Sequence, residues 1–270
     1  MILSFIGKGG VGKTSIAAAY ALELANIGRT IAVSTDFMPS LRYVLTKDDK
    51  LEIVELTENE IAEKWIQKYG EDVFTIVSEF INTDRSILSH IASAPGVPEE
   101  FMISSIVDLE DSGKYDYVIW DTAASSATMH LLALEKDFYN HLGRDIEFYL
   151  RVKDRFGSHK VMQVLNQWRE LANYVWKKLE SSHFFLVTTD DDLSRIQAGE
   201  IENDFHRMGL RVDFKICNRF GHRHADIPDC EIILPEFEGN SREVVNSIRG
   251  ASGPLFLSRI GINPKNPRNE

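Results

Sequence analysis

Cysteine is nearly missing from this chain: only Cys217 and Cys230 occur. They form no Cys-x-x-Cys, so the sequence signals neither a disulfide framework nor a paired-cysteine zinc site. No apolar run reaches the roughly 18–20 residues that a membrane span needs. Positive charge is also short, with 30 Lys and Arg against 41 Asp and Glu, a net charge of −11. That balance argues against broad binding to nucleic acid or to an anionic membrane. There is no internal repeat and no low-complexity segment. The first strand pattern starts at Ile2, which leaves no room for a signal peptide. These absences predict a soluble, reduced, cytoplasmic protein without stable membrane insertion.

What is present points to an α/β fold. The 270 residues are 43% apolar, enough to bury one large core. Residues 2–6 form a short apolar run of the kind found in buried parallel strands. Residues 13–27 carry Ile16, Ala17, Tyr20, Ala21, Leu24 and Ile27 at helical spacing, and Gly28 follows as a stop. A second strand pattern covers 30–34 and a third covers 51–56. Residues 58–110 are mostly helical in pattern, interrupted near 94–98. Strand patterns return at 115–120, 184–188, 212–217 and 232–234. Helical patterns fill 128–180, about 193–208 and 242–248, and the tail beyond 261 reads as frayed. Alternating strands and helices predict a mostly parallel sheet covered on both faces. The reading is a single domain over 1–270, with a helical insertion at about 128–182 and a frayed tail at 262–270. Chemistry is then expected at the carboxyl ends of the strands, where Gly7, Asp36, Asp121, Asn218 and Pro235 all fall.

The run from Gly7 to Thr14 reads Gly-Lys-Gly-Gly-Val-Gly-Lys-Thr and satisfies the P-loop pattern between a strand and a helix. Its glycines let the backbone curl so that several N–H groups face one anion. The helix beginning at Lys13 adds its positive end. Gly9, Gly10, Val11, Gly12, Lys13, Thr14 and Ser15 are therefore the predicted phosphate-binding residues. Lys13 would neutralise phosphate charge, and Thr14 would offer a hydroxyl to Mg²⁺. Asp121 ends an apolar strand, a place that suits a carboxylate holding Mg²⁺ through water. Asp36 ends the second strand, where it could orient an attacking water and accept its proton. ATP and Mg²⁺ are the expected cofactors.

Taken together these runs resemble the ArsA/Get3 group of P-loop ATPases. Lys8-Gly9-Gly10-Val11-Gly12-Lys13-Thr14 resembles that group's deviant Walker A loop. Ser34 to Leu41 resembles its switch I run Ser-Thr-Asp-Pro-Ala-His-Ser-Leu. Asp121 to Leu132 resembles its switch II run Asp-Thr-Ala-Pro-Thr-Gly-His-Thr-Leu-Arg-Leu-Leu. Cys217-Asn218-Arg219 is similar to Val-Asn-Arg, whose asparagine reads adenine, and Leu234-Pro235-Glu236 resembles the loop over the base. The resemblance covers residues 1 to about 250. It implies a Mg²⁺-dependent ATPase that works as a nucleotide-gated homodimer. It also implies that Lys8 reaches the partner's nucleotide like an arginine finger, and that Asn218, Arg219, Pro235 and Glu236 hold the base. The departures are Phe37 for the switch I proline, Pro39 in place of its histidine, and Ala124, Ser126 and Ala127 in switch II. The zinc-binding cysteine pair of the targeting factors and the metalloid-binding cluster of the arsenite ATPase are both missing.

The load of such an engine is less legible. About sixty residues separate switch II from the next strand, more than the roughly 10–12 that a crossover needs. They include Phe138, Tyr139, Phe148, Tyr149, Leu150, Phe156, Met162, Trp168 and Trp176. One reading is a groove for an apolar helical client. The other is that most of these side chains pack on residues 58–110, and this second reading is preferred. Alternatives to client handling are an anion, metalloid or metal-centre ATPase and a ParA/MinD-like nucleotide-gated scaffold. Thr46-Lys47-Asp48-Asp49 mimics a guanine motif but follows the second strand too soon. His222-Arg223-His224 with Cys230 fits no common zinc spacing.

Overall fold

The computed structural model describes residues 1–36, 40–45, 49–55, 57–94, 97–123, 132–133, 159–221 and 229–262. The chain divides into two compact units. One is built from Met1–Glu55, Asp108–Met129 and Ser182–Glu270, the other from Leu56–Val107 and His130–Ser181.

The first unit is organised by seven parallel strands: β1 (Ile2–Ile6), β2 (Thr30–Ser34), β3 (Leu51–Glu55), β4 (Tyr117–Asp121), β5 (His183–Thr189), β6 (Val212–Phe220) and β7 (Ile232–Pro235). Their order is β3-β2-β4-β1-β5-β6-β7. β1 is central, pairing with β4 through Ile2↔Val118 and with β5 through Leu3↔His183. All five of its residues are buried, as a strand covered on both faces requires. The α/β P-loop architecture expected from the sequence is the one observed.

Three helices belong wholly to this unit besides the short α2 (Leu41–Val44): α1 (Lys13–Ala25), α7 (Asp192–Met208) and α8 (Ser241–Arg259). The alanines at 17, 18, 19 and 21 of α1 are all fully buried. Tyr20 stacks on Phe256 of α8 at 3.9 Å between ring centroids, and Phe5, Phe185 and Phe214 complete the aromatic cluster. The Tyr20 hydroxyl pairs with Ser252 Oγ at 2.9 Å, which satisfies the polar end of a buried ring. A Cβ on Gly253 would meet the Glu23 side chain at 3.0 Å, so the two helices touch where glycine leaves room.

Two element ends differ from the sequence expectation. α8 does not stop near Ile248 but continues through Gly250, Gly253 and Pro254 to Arg259. The stop signals are overridden because its second half carries the ring that packs on α1. β6 runs on past Cys217 to Phe220, with an irregular register against β7 between those residues.

The second unit is helical. It holds α3 (Glu58–Phe80), α4 (Ile87–Ala92), α5 (Val97–Asp111) as far as Val107, and α6 (His159–Glu180). Thr57 and Glu60 form a capping box that starts α3. Tyr69 meets Trp65, Phe101 and Trp168 edge-on, with centroids 5.7 to 6.4 Å apart. Trp168 therefore packs on the 58–110 segment, as the preferred reading of the insertion expects. The helices leave an apolar cavity of about 340 Å³, walled by side chains including Trp65, Phe101, Leu171 and Val175. Trp168 Nε1 is buried with no hydrogen-bond partner among the described residues. Phe138, Tyr139, Phe148, Tyr149, Leu150 and Phe156 lie outside those residues. No described helix is long and apolar enough to cross a membrane.

Candidate functional site

The loop between β1 and α1 is shaped by its glycines. Gly10 and Gly12 have φ of 83° and 94°, in the left-handed region where side chains are strained. Gly7, at φ 149°, passes so near β5 that a Cβ would lie 2.2 Å from the Val187 carbonyl oxygen. The loop is held from β6 as well. Asn218 Nδ2 donates to Val11 O at 2.9 Å, and Arg219 Nη1 donates to Gly10 O at 3.1 Å. Arg219 is the one described non-glycine residue with positive φ, at 55°. Gly12 is also required by this clasp, because a Cβ there would lie 2.4 Å from Asn218 Nδ2. Gly12 opens α1 without a side-chain cap, leaving the first helical N–H groups available to an anion.

Lys13 folds over its own loop. Its ammonium donates to Gly7 O at 3.0 Å and to Lys8 O at 3.1 Å. Burial lowers its pKa, while the charges of Asp121 and Asp36 act against that shift. Asp121 is almost fully buried at the end of β4. Desolvation pushes its carboxyl up to about 7, opposed mainly by the Thr14 hydroxyl and the Lys13 charge. Ser34 Oγ donates to Asp121 Oδ2 at 3.5 Å and accepts the Asp36 backbone N–H at 3.3 Å. Ser34 thus ties the two strand-end aspartates together. Its place beside Asp36 at the end of β2 was the only sequence signal for this. Trp120 Nε1 donates to Thr35 Oγ1 at 2.9 Å and fixes the next residue of that strand end.

A hard divalent cation is the kind of ion this arrangement would suit. Asp121 Oδ1 is buried and has no hydrogen-bond partner among the described residues, and the Thr14 side chain reaches the same carboxylate. A hard cation takes oxygen donors of this type. Neither here nor elsewhere among the described residues do three or more His, Cys, Asp or Glu side chains gather to hold a metal by themselves.

Two cavities open on the loop. One, of about 240 Å³, is lined by Gly9, Gly10, Gly12, Lys13, Thr14, Asp36, Thr122 and Arg219. The other, of about 330 Å³, is lined by Lys8, Gly9, Gly10, Val11, Thr189, Asp190, Asp191, Ser194, Arg219 and Glu236. Lys8, Asp36, Asp121 and Arg219 are therefore gathered around one loop despite their separation in sequence. Ser15 is half-buried in the first turn of α1 and borders neither cavity; Pro235 ends β7 and pairs with Phe220. Asp191, which sequence reasoning missed, caps α7 by accepting Ser194 N at 2.9 Å and also binds the Thr189 hydroxyl. These bonds hold its carboxyl well below the usual range, with a smaller contribution from the Lys8 charge. The Asp-x-x-Ser spacing after a strand carried the signal for that cap. Phe37, Met38 and Pro39, the switch II residues 124–131, Thr46 to Asp48 and His222 to His224 lie outside the described residues.

A sequence profile of the anion-transporting ATPases matches residues 1–248. A protein of Prosthecochloris vibrioformis, provisionally named an arsenical pump-driving ATPase, is 36% identical over 96% of this chain and 70% of its own length. A protein of Aquifex aeolicus with a name of the same kind is 27% identical over 81% of this chain and 79% of its own. ATPase GET3C of Arabidopsis thaliana is 23% identical over 84% of this chain and 68% of its own. With the phosphate loop standing where that profile begins, the chain belongs to the anion-transporting ATPase family, the ArsA/Get3 group of ATP-hydrolysing enzymes.

Proposed function

We propose that the chain is a Mg²⁺-dependent ATPase acting as a nucleotide-gated homodimer that handles an apolar helical client protein. The observation that carries the reading is the cavity at the loop, which Lys13, Thr14 and Asp36 line, with the Thr14 hydroxyl and the Lys13 charge both favouring the ionised form of Asp121. In this reading the loop N–H groups bind the phosphates. The Lys13 ammonium leaves the carbonyls of Gly7 and Lys8 for the β- and γ-phosphate oxygens. Asp36 orients the attacking water and takes its proton. Thr14, and Asp121 through water, would hold Mg²⁺, which supplies charge neutralisation on the phosphates. Asn218, Arg219, Pro235 and Glu236 frame the base.

Lys8 acts in trans in this reading. Leu193 and Ile196, at the start of α7 beside the cavity that Lys8 lines, are 54% and 62% exposed, as expected of a face that a second copy covers. The apolar cavity of the helical unit is the candidate client surface, and residues 128–182 are then an insertion in one ATPase domain. The test combines sizing with and without ATP and Mg²⁺ with a phosphate-release assay. Expected are an ATP-dependent dimer and slow release. Asp36→Asn should abolish release and spare ATP binding, and unchanged turnover would remove Asp36 from the mechanism. Stable dimers without any release would favour a silent scaffold.

A second reading, an ATPase driving an anion or metalloid pump, is favoured by the names of the relatives from Prosthecochloris vibrioformis and Aquifex aeolicus. Stimulation of phosphate release by arsenite is its test, and no response would remove it.

A further inference from the structure

Arg219 stands among the residues assigned to the base, yet its side chain keeps other company. Of Asn218, Arg219, Pro235 and Glu236, only Arg219 lines the cavity that holds Lys13, Thr14 and Asp36. It also lines the cavity that holds Lys8, so with Gly9 and Gly10 it borders both. Its Nη1 donates to Gly10 O, in the phosphate loop itself. We propose that the Arg219 guanidinium binds the phosphates of its own chain's nucleotide and does not serve the base alone. This rests on the nucleotide-site reading above and adds a second cation to it.

The backbone at this residue is unusual. A side chain at φ 55° is uncommon and strained, and such outliers gather at functional sites. Glycine or asparagine would hold that conformation at less cost. Successive side chains of a strand point to opposite faces. Asn218 and Arg219 are successive residues of β6, yet they bond to Val11 O and Gly10 O, neighbouring carbonyls of one loop. The left-handed turn at Arg219 and the register shift against β7 break the alternation there. Their effect is to aim a long cation at the phosphate loop.

The chemistry suits phosphate. Among the described residues, Lys13 and Arg219 are the cations that line the cavity of Asp36. A guanidinium presents paired N–H donors that match phosphate oxygens two at a time, and it keeps its charge at any working pH. Its partner at the loop is a neutral carbonyl, whereas a bond to an ionised oxygen is roughly twice as strong. Phosphate would therefore draw it off Gly10 O, as it would draw Lys13 off the carbonyls of Gly7 and Lys8. Arg219 is exposed, so it can make that move without opening the core.

The test measures ATP and adenosine affinity of the full chain, by competition with a fluorescent ATP analogue, together with phosphate release and melting temperature. Arg219→Gly suits the backbone and removes the cation. It should hold or raise the melting temperature and slow phosphate release. ATP affinity should fall about tenfold or more, with adenosine affinity kept within about twofold. Arg219→Gln, which keeps a donor for Gly10 O without the charge, should show the same split, and it decides alone if Arg219→Gly does not fold. Equal loss of ATP and adenosine affinity would place the guanidinium on the base and overturn the proposal. Unchanged ATP affinity and release would make Arg219 a clasp of the loop only and overturn it too. A wild-type chain that binds no ATP, or a Lys13→Ala chain that binds it unweakened, would sink the nucleotide-site reading. Loss in Lys13→Ala with none in the Arg219 variants would overturn the role of Arg219 alone.

Discussion

The two units of this chain are packed to different tolerances. In the sheet unit the backbone of the phosphate loop is clamped where it meets β5 and β6, although cavities open on its other side: Gly7 faces a carbonyl at a distance no Cβ could occupy, and Gly12 faces an amide in the same way. The helical unit keeps an apolar cavity of about 340 Å³ and leaves an indole N–H without a partner among the described residues. Close packing fixes geometry, and an unfilled interior forfeits contacts. A site that must meet phosphate oxygens needs the first, and the client surface proposed for the helical unit would tolerate the second.

The contrast can be broken or sharpened by substitution. Lys13→Ala should have the largest effect, cutting ATP turnover by roughly 10²–10³-fold, as removal of a charge-stabilising donor does. Steady-state phosphate release is the measurement. Gly7→Ala should cost about 3 kcal/mol or more, since strain at positive φ adds to a backbone clash. Chemical denaturation would register it, and a loss under about 1 kcal/mol would mean that β5 can yield.

Asp121→Asn should abolish turnover yet stabilise the nucleotide-free protein by on the order of 1–3 kcal/mol at pH 8. The sign follows from burial. The folded carboxyl titrates near 7 against about 4 when unfolded, so its contribution is full below pH 4 and is lost as pH rises through about 7. Asparagine removes that slope, which unfolding curves at pH 6 and pH 8 would compare. Ala172→Leu, which pushes carbon into the cavity of the helical unit, should have the smallest effect, a gain of about 1 kcal/mol or less. A marked loss of melting temperature would show that the cavity is shaped more strictly than its emptiness suggests.

The sheet and the phosphate loop were legible because each strand is a short run of buried residues and because the glycine spacing has one physical use. Asp36 and Asp121 were legible because they stand where apolar runs end. The end of α8 was not, since Gly250, Gly253 and Pro254 all signal a stop and the reason to continue lies in α1. The second half of β6 was hidden for a similar cause: its polar residues Asn218 and Arg219 look like a loop until the backbone they bind is known. Ser34 was quoted only as part of a motif, and its role as a tie between aspartates needed the neighbouring strand.

The stacked rings of Tyr20 and Phe256 have a consequence for how this chain can be shortened. The family profile ends at Ile248, and every residue of the loop and its strand-end partners lies before that point. A chain cut there would retain the whole reactive set and lose Ser252, Gly253 and Phe256. Tyr20, in the helix that leads out of the phosphate loop, would then lose the ring it stacks on and the hydroxyl it pairs with. The last helix is a keystone for a site it never touches, and the smallest active piece of this protein is longer than its catalytic motifs imply.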